Sequence, residues 1–308
     1  LKPLWFMRSC LKSPARSQPL VIPLLAPMSM IKAAAGLLLS VARAQFPEGY
    51  RAVPGVGGAL FHTSCIKEAP DGVVVDDSFD LSCDQPLIQP DEQVYAMDAH
   101  TDGSVKFTQM NSSFTIPDLP ANGSSGTVFL WPGFKAQKPE PGYPVLQPVL
   151  QYAQRPGQHY WELQSWFVWA KHFLFPVSVT GKAIKVSAGD DIVSYMDHDE
   201  SAKIWTVYAR NEKTGDESKL QVTRKRTGNM DFAFAVHVLE TVMPTTGYCS
   251  QYPPSGGIDF HGISANRGSG VTWIARTGKT DCQQKVTSSK TGDDVKFSWS
   301  TAAAEMIV

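Results

Sequence analysis

Several features common in proteins are scarce in this chain, and each scarcity narrows the possible functions. Charged residues make up only 19% of the 308 residues, and 28 Lys and Arg nearly balance 29 Asp and Glu, for a net charge of -1. The basic run Arg224–Arg226 is short and typical of a solvated turn. This composition argues against a nucleic-acid partner, which would need a basic patch.

Long hydrophobic runs are also missing. Near the N-terminus, Lys32 and two prolines interrupt the apolar sequence, and the uninterrupted part, Ala33–Val41, falls short of the roughly 18 residues that a membrane span needs. Lys32, this run and the small-x-small triplet Ala42-Arg43-Ala44 instead predict a secretory signal peptide over residues 1–44. We expect cleavage after Ala44 and a secreted chain that is not held in a membrane.

Cysteines are few, and none of them form a C-x-x-C pair, so a zinc knuckle is not expected. Four follow the predicted signal peptide, and an even number in a secreted chain indicates two disulfides with three possible connectivities. Proximity along the chain favours Cys65–Cys83 and Cys249–Cys282. The glycosylation triplets at Asn111 and Asn122 are compatible with a secreted glycoprotein.

Turn-forming residues, in contrast, are abundant. The chain has 24 Gly and 22 Pro, spread between about a dozen short strand-like runs, and no convincing amphipathic helix. This pattern predicts an all-β fold, a two-sheet antiparallel β-sandwich of jelly-roll type, over residues 94–308. Residues 45–93 form a Cys-containing segment that is a small stapled subdomain, a pro-segment or an N-terminal wrap, and the sequence does not separate these three.

The stretch Val145–Val168 predicts a hairpin, with its turn at Ala153–His159. Strand side chains alternate between faces, so polar and aromatic residues collect on sheet faces and suggest a groove. These residues are Gln147, Gln151, Glu162, Gln164 and Trp166. Pro148 has no N–H to donate, which predicts an edge strand or a bulge at that position.

A second unusual residue is Glu240, within the predicted strand Asp231–Val242. Both faces of this strand are largely apolar, which is typical of a central strand between stacked layers. A carboxylate there is costly unless it is partnered, and desolvation would raise its pKa into the range of a general base or acid. The alternative is that Glu240 lies at the sheet rim in solvent. His237, on the mixed apolar face, is expected to be a satisfied core histidine.

Several motifs occur in an order known from one family. They are Ser112–Pro117, Leu130-Trp131-Pro132-Gly133, Val145-Leu146-Gln147, Lys185–Asp190 and the strand segment Val236–Val242 that carries Glu240. In this order the chain, from about Asn111 to Ser300, resembles the eqolisins, glutamic peptidases with a concanavalin A-like β-sandwich.

The resemblance implies a secreted acid endopeptidase that uses a Glu/Gln dyad. Glu240 would take a proton from an attacking water, and the Gln147 amide would stabilise the oxyanion. Trp131 and Trp166 would line the cleft and bind a polypeptide substrate, together with Gln151, Gln164 and Glu162. We expect no metal and no cofactor, and a monomer.

Two other interpretations of the same fold stay open. One is a non-catalytic module that binds glycan or peptide in an aromatic groove. The other is a carbohydrate-active enzyme, for which Glu162 and Glu240 would have to lie roughly 5–10 Å apart.

The acidic turn Asp197–Glu200 has calcium-ligand chemistry, although turns collect Asp for their own hydrogen bonds.

Overall fold

The computed structural model describes residues 46–88, 93–121, 126–136, 143–155, 157–171, 175–242, 248–268, 270–278 and 281–302. The predicted signal peptide and the triplet at Asn122 lie outside these residues. The described chain is built from strands, with two short 3-10 helices, Thr63–Cys65 and Tyr248–Gln251. Neither helix is long and apolar enough to cross a membrane.

Nineteen strands are numbered here in chain order. They are β1 Tyr50–Ala52, β2 Leu60–His62, β3 Ile66–Glu68, β4 Val74–Val75, β5 Gln93–His100, β6 Gln109–Thr115, β7 Thr127–Lys135, β8 Val145–Tyr152, β9 Trp161–Lys171, β10 Phe175–Thr180, β11 Ile184–Val186, β12 Asp191–Asp199, β13 Ile204–Asn211, β14 Glu217–Thr223, β15 Phe234–Val242, β16 Gly257–Ala265, β17 Ile274–Thr277, β18 Lys285–Ser288 and β19 Val295–Ser298.

Two large sheets form the sandwich, as the sequence predicts. The first sheet has the order β17-β5-β15-β7-β8-β9-β10-β3, with β11 beside β9. The second has the order β18-β19-β16-β6-β12-β13-β14-β4. Strand β12 illustrates the alternation that a sandwich requires, because every second residue from Ile192 to His198 is buried. Large side chains from both sheets fill the space between them, including Phe134, Phe167, Trp205 and Phe260.

The first sheet is also buried on its outer face, the face turned away from the second sheet. A separate apolar cluster forms there between Trp131, Val149, Trp166 and Val238 of the sheet and Val53, Val56, Leu60, Phe61 and Ile66 of the N-terminal segment. Strands β1 and β2 of this segment pair with each other, while β3 joins β10 and β4 joins β14 in parallel. Residues 46–88 therefore add a third layer over part of the sandwich.

The predicted hairpin is confirmed, because β8 and β9 pair antiparallel with Gln147 opposite Trp166 and Gln151 opposite Glu162. Both alternatives expected for Pro148 are wrong, since β8 lies inside the sheet between β7 and β9 and keeps one register with each neighbour across Pro148, without a bulge. Strands β7 and β8 pair as far as Leu130, which is opposite Leu150, and the pairing resumes where Phe134 is opposite Leu146. Pro132 and Pro148 lie opposite each other within this gap. Because neither residue has a backbone N–H to donate, the ladder of hydrogen bonds is interrupted there.

Candidate active site

Glu240 lies on the outer face of the first sheet, in the central strand β15 between β5 and β7. The pairing of β15 with β5 shifts register between Leu239 and Glu240, an irregularity that re-aims side chains locally. Only 1% of Glu240 is exposed, so the solvated position at a sheet rim is wrong. A carboxylate this deeply buried has to find hydrogen-bond donors within the protein.

Gln147 lies on the same face, in strand β8, with β7 between it and β15. It is fully buried as well. The side chains of Gln147 and Glu240 meet at one loop of the N-terminal segment, the glycine-rich sequence Pro54-Gly55-Val56-Gly57-Gly58 that joins β1 to β2.

A single peptide group of this loop lies between the two side chains. The carbonyl oxygen of Pro54 accepts a hydrogen bond from Nε2 of Gln147 at 2.8 Å. The N–H of Gly55, on the other side of the same peptide bond, donates to Oε2 of Glu240 at 2.7 Å. The amide thus binds the carbonyl oxygen and the carboxylate binds the nitrogen of one peptide group.

The second carboxylate oxygen is occupied by the same loop. The N–H of Gly58 donates to Oε1 of Glu240 at 2.9 Å. Gly55 adopts φ +83°, and a Cβ at this position would lie 2.8 Å from Nε2 of Gln147. The loop therefore needs glycine here both for its backbone conformation and for its close approach to the amide.

Burial and nearby charge act on Glu240 in opposite directions. Desolvation raises the pKa of Glu240 above its ordinary value, against the N–H groups of Gly55 and Gly58 and the charge of Lys135, which lower it. Burial also lowers the pKa of Lys135, although Glu240 and Asp98 act to raise it. The ammonium of Lys135 lies 5.2 Å from the ring centre of Trp131, in reach of a cation–π contact.

A polar cluster occupies the β8–β9 end of the same face. Nε2 of Gln151 donates to Oε1 of Glu162 at 2.7 Å and to Oε1 of Gln164 at 3.2 Å, while Arg155 forms an ion pair with Glu162. The guanidinium of Arg51 lies 5.4 Å from the ring centre of Trp166. Burial lowers the pKa of Arg51 to about 10, helped by the charge of Arg155.

Glu162 and Glu240 are not placed as a glycosidase pair. Glu240 is opposite Phe129, Phe129 is opposite Gln151, and Gln151 is opposite Glu162. The two acidic residues are therefore separated by three strand spacings, about 14 Å along the sheet. The contacts that Glu162 makes with Gln151 and Arg155 explain its burial without a catalytic role.

Trp131 and Trp166 lie on the outer face, as the groove interpretation requires, but both are fully buried. The apolar side chains of the N-terminal segment cover them. An open aromatic groove, on which the glycan-binding interpretation depends, is therefore not present around these two residues. On β5 of the same sheet, the buried Asp98 bonds Nδ1 of His100 at 2.5 Å and Nε of the partly exposed Arg276 at 2.6 Å, contacts that the sequence did not indicate.

Sequence reasoning missed the loop that contacts both dyad residues. Its signal was the closely spaced glycines after Pro54, because glycine is typical where a backbone must approach another group closely. Lys135 was missed as well, since Pro132-Gly133 in the motif Leu130–Gly133 is typical of a turn whereas β7 continues through Pro132 to Lys135.

The remaining predicted positions are structural. His237 is fully buried, bonds Ser112 Oγ through Nε2 at 3.1 Å and packs on Trp273. Asp199 accepts hydrogen bonds from the backbone of Ser201 and Ala202, as a turn residue does. Among the described residues no group of three His, Cys, Asp or Glu is arranged to hold a metal.

Both disulfides join the pairs that proximity favours. Cys65 is bonded to Cys83 within the N-terminal segment, and Cys249 is bonded to Cys282. The first bridge closes a loop entirely inside residues 46–88. It does not link that segment covalently to the sandwich.

Comparison with known proteins yields distant structural similarities only. No family model matches the chain, and no curated protein matches it. Scytalido-glutamic peptidase, solved with a peptide-based transition-state analogue, aligns over 68% of this chain and 100% of its own at 15% identity and a TM-score of 0.43. SCP-B, an eqolisin solved with the tripeptide Ala-Ile-His, aligns over the same shares at 15% identity and a TM-score of 0.42.

The CBM2 module of the Lactobacillus casei BL23 phage J-1 evolved Dit is also similar, over 66% of each chain, at 9% identity and a TM-score of 0.29. Similarity at this level does not establish membership of any of these families, and it assigns no activity to this chain.

Proposed function

We propose that the chain is a secreted acid endopeptidase in which Glu240 and Gln147 together hydrolyse peptide bonds. The observation that supports this is the Pro54–Gly55 peptide group, whose carbonyl oxygen is bound by the amide of Gln147 and whose nitrogen is bound by the carboxylate of Glu240. Peptide hydrolysis needs this polarity, because negative charge develops on the oxygen and the nitrogen must receive a proton.

The reaction follows from these positions. With a substrate peptide in place of the loop, the ionised carboxylate of Glu240 accepts a proton from a water, whose oxygen attacks the carbonyl carbon. The N–H of Gln147 stabilises the oxyanion as it forms. Glu240 then gives the proton to the leaving nitrogen, the carbon–nitrogen bond breaks, and a carboxylic acid and an amine are released with the carboxylate regenerated.

The surroundings of the dyad suit this chemistry. Burial raises the pKa of Glu240, which makes it a stronger base and a better match for proton transfer in acid. The charge of Lys135 acts in the other direction. Because Glu240 can take the proton from water only as a carboxylate, activity should fall as the pH drops through its raised pKa. The expected optimum at acidic pH is what the resemblance to the glutamic peptidases implies.

The test is cleavage of a denatured protein between pH 2 and 7 by the mature chain and by its Glu240→Gln and Gln147→Ala variants. Because the N-terminal loop covers the dyad, the parent and the Glu240→Gln variant are each assayed both alone and combined with Gly55→Val, whose side chain would collide with Gln147. We expect Glu240→Gln to abolish cleavage and Gln147→Ala to lower kcat about 100-fold, in the range of a lost oxyanion donor.

Asn211→Ala is the matched control. Nδ2 of Asn211, on β13 of the second sheet, donates to Oδ2 of Asp190 at 2.8 Å, so this variant also loses a buried amide bond but leaves the dyad and its loop intact. Its activity should stay within a few-fold of the parent. Equal activity of the Glu240→Gln variant and its parent would contradict the proposal, and so would a complete lack of cleavage by every chain. Peptide binding without cleavage would support the binding-module interpretation instead.

A further inference from the structure

We propose that residues 46–88 are an intramolecular inhibitor that presents the Pro54–Gly55 peptide group to the dyad in the manner of a substrate and blocks the position of the attacking water. This inference rests on the proposed function, because it takes Glu240 and Gln147 to be the catalytic pair. It assigns a role to a segment for which the sequence leaves three possibilities open.

The first support is the fit of the segment to the outer face of the sheet. Its side chains Val53, Val56, Leu60 and Phe61 are buried against sheet residues, among them Trp131 and Trp166. Polar contacts continue the fit, since Gln154 binds the carbonyl of Ala52 and Gln147 binds that of Pro54. Two amide side chains of the sandwich thus bind carbonyl oxygens at the end of β1 and just after it, as a peptide-binding groove binds an extended peptide.

The second support is the difference between this loop and a hydrolysable peptide. A substrate donates its peptide N–H to one oxygen of Glu240 and leaves the other oxygen to the water. Here the chain turns back after Gly55, and the N–H of Gly58 occupies that second oxygen at 2.9 Å. Both oxygens are engaged by backbone donors, and Glu240 is only 1% exposed, so the bound loop keeps solvent away from the carboxylate. The loop therefore binds as a substrate does but is protected from cleavage.

The third support is the way in which the segment is attached. Its disulfide, Cys65–Cys83, is internal, so it is joined to the sandwich covalently only through the chain that follows Ile88. Parallel pairing of β3 with β10 and of β4 with β14 holds it non-covalently on both sheets. This arrangement gives a stable inhibited state, in which displacement of the whole segment opens the pairing of β3 and β4 with the sheets but breaks no covalent bond.

The test compares full-length chains that differ in the loop alone. Gly55→Val places a branched side chain where a Cβ would already lie 2.8 Å from Nε2 of Gln147, so the loop and the amide can no longer keep their present contact. Gly72→Val is the matched control, because Gly72 lies in the same segment with φ +78° and has no atom within 4 Å of its Cβ position. Both variants carry the strain of a β-branched residue at positive φ, but only the first reaches the dyad.

We expect Gly55→Val to cleave a denatured protein at least 10-fold faster than the parent chain at the same acidic pH, and Gly72→Val to stay within 2-fold of the parent. Adding Glu240→Gln to Gly55→Val should remove the gain. Mass spectrometry should find the Pro54–Gly55 bond intact in the parent chain after incubation. Circular dichroism and amide exchange at Gly58 verify that the variant is folded and that the loop has moved.

If the parent and Gly55→Val are equally active and Glu240→Gln abolishes both activities, the endopeptidase proposal stands and the inhibitor proposal is overturned. Rapid cleavage at Pro54–Gly55 also overturns it, since the loop is then a substrate. If a folded Gly55→Val with an exposed Gly58 amide shows no activity, the endopeptidase proposal itself fails. Should Gly55→Val not fold, the same comparison uses Gly55→Ala, whose Cβ makes the same 2.8 Å contact with Nε2 of Gln147 and carries less strain at positive φ.

Discussion

The sequence singled out two ionisable residues that prove to be buried, Glu240 and His237. They differ in the hydrogen bonds and charges that surround them. Glu240 accepts hydrogen bonds from two backbone N–H groups, and the charge of Lys135 acts on it as well. These interactions offset part of the cost of burying its carboxylate. His237 has one hydrogen bond, from or to Ser112, and otherwise packs against aromatic rings. Only the first therefore has surroundings that suit proton transfer, while the second is stable as a neutral imidazole.

The state of His237 predicts a pH dependence of stability. Burial lowers the pKa of His237 to about 3, below the ordinary value near 6.5. As pH falls through 6.5 the unfolded chain binds a proton that the folded chain does not, so stability is lost between about pH 6.5 and 3 at up to about 1.4 kcal/mol per pH unit. In the His237→Gln variant the free energy of unfolding, measured with urea, should fall less steeply across this window. Equal slopes for the two chains would contradict the assignment.

At the scale of elements, strands with clear local patterns could be predicted from the sequence and strands defined by tertiary pairing could not. The β8–β9 hairpin follows from its two strand-like runs and its turn, and β15 follows from its length and apolar faces. Strands β3 and β4, with 3 and 2 residues, exist only because they add to the edges β10 and β14. No periodicity can be read from so few residues.

The continuation of β7 past Trp131 illustrates a second limit. A Pro-Gly pair usually indicates a turn, so Pro132-Gly133 would end the strand at Trp131. The structure instead places Pro132 within the strand, where the ladder to β8 is already interrupted opposite another proline. Gly133 leaves room for the ring of Trp131, because a Cβ at this position would lie 2.8 Å from that ring. These are pairwise tertiary relationships that a single segment does not show.

The two disulfides should differ in their effects because they tie different elements. Cys65–Cys83 spans 18 positions inside the N-terminal segment, and Cys249–Cys282 spans 33 positions in the sandwich. Each bridge is expected to stabilise the chain by about 3 kcal/mol through restriction of the unfolded state. Replacing Cys249 and Cys282 by Ser should lower the midpoint of urea unfolding without raising peptidase activity.

Replacing Cys65 and Cys83 by Ser should instead loosen the segment over the dyad. We expect a several-fold rise in the rate of cleavage of a denatured protein, together with faster amide exchange at Gly55 and Gly58. The control is the double Cys249 and Cys282 variant measured at the same fraction unfolded. A rise of equal size in both variants would show that general destabilisation, rather than release of the loop, produces the effect.

At the scale of the whole molecule, the first sheet is buried on both faces, by the second sheet and by the N-terminal segment. Strand β8 shows this directly, since all eight of its residues are buried. A run that is apolar on both faces is the sequence signal of such a strand, and β8 departs from it only at its glutamines and at Pro148. From the same residues the sequence predicted a groove, because the cover provided by residues 46–88 depends on contacts between distant parts of the chain.

The strength of that cover predicts how the molecule responds to a single cut. Each Val, Leu or Phe that the segment buries contributes about 1.5–3 kcal/mol of transfer free energy, and β3 and β4 add backbone pairing on both sheets. After a site-specific cut engineered between residues 88 and 93, the segment should therefore stay bound at pH 7. Gel filtration at micromolar concentration should show the two pieces eluting together, and urea should release the segment in the same transition that unfolds the sandwich. Separate elution of the pieces in the absence of urea would show that the interface is too weak to keep the dyad covered, since a weakly bound layer would leave Glu240 and Gln147 accessible for part of the time.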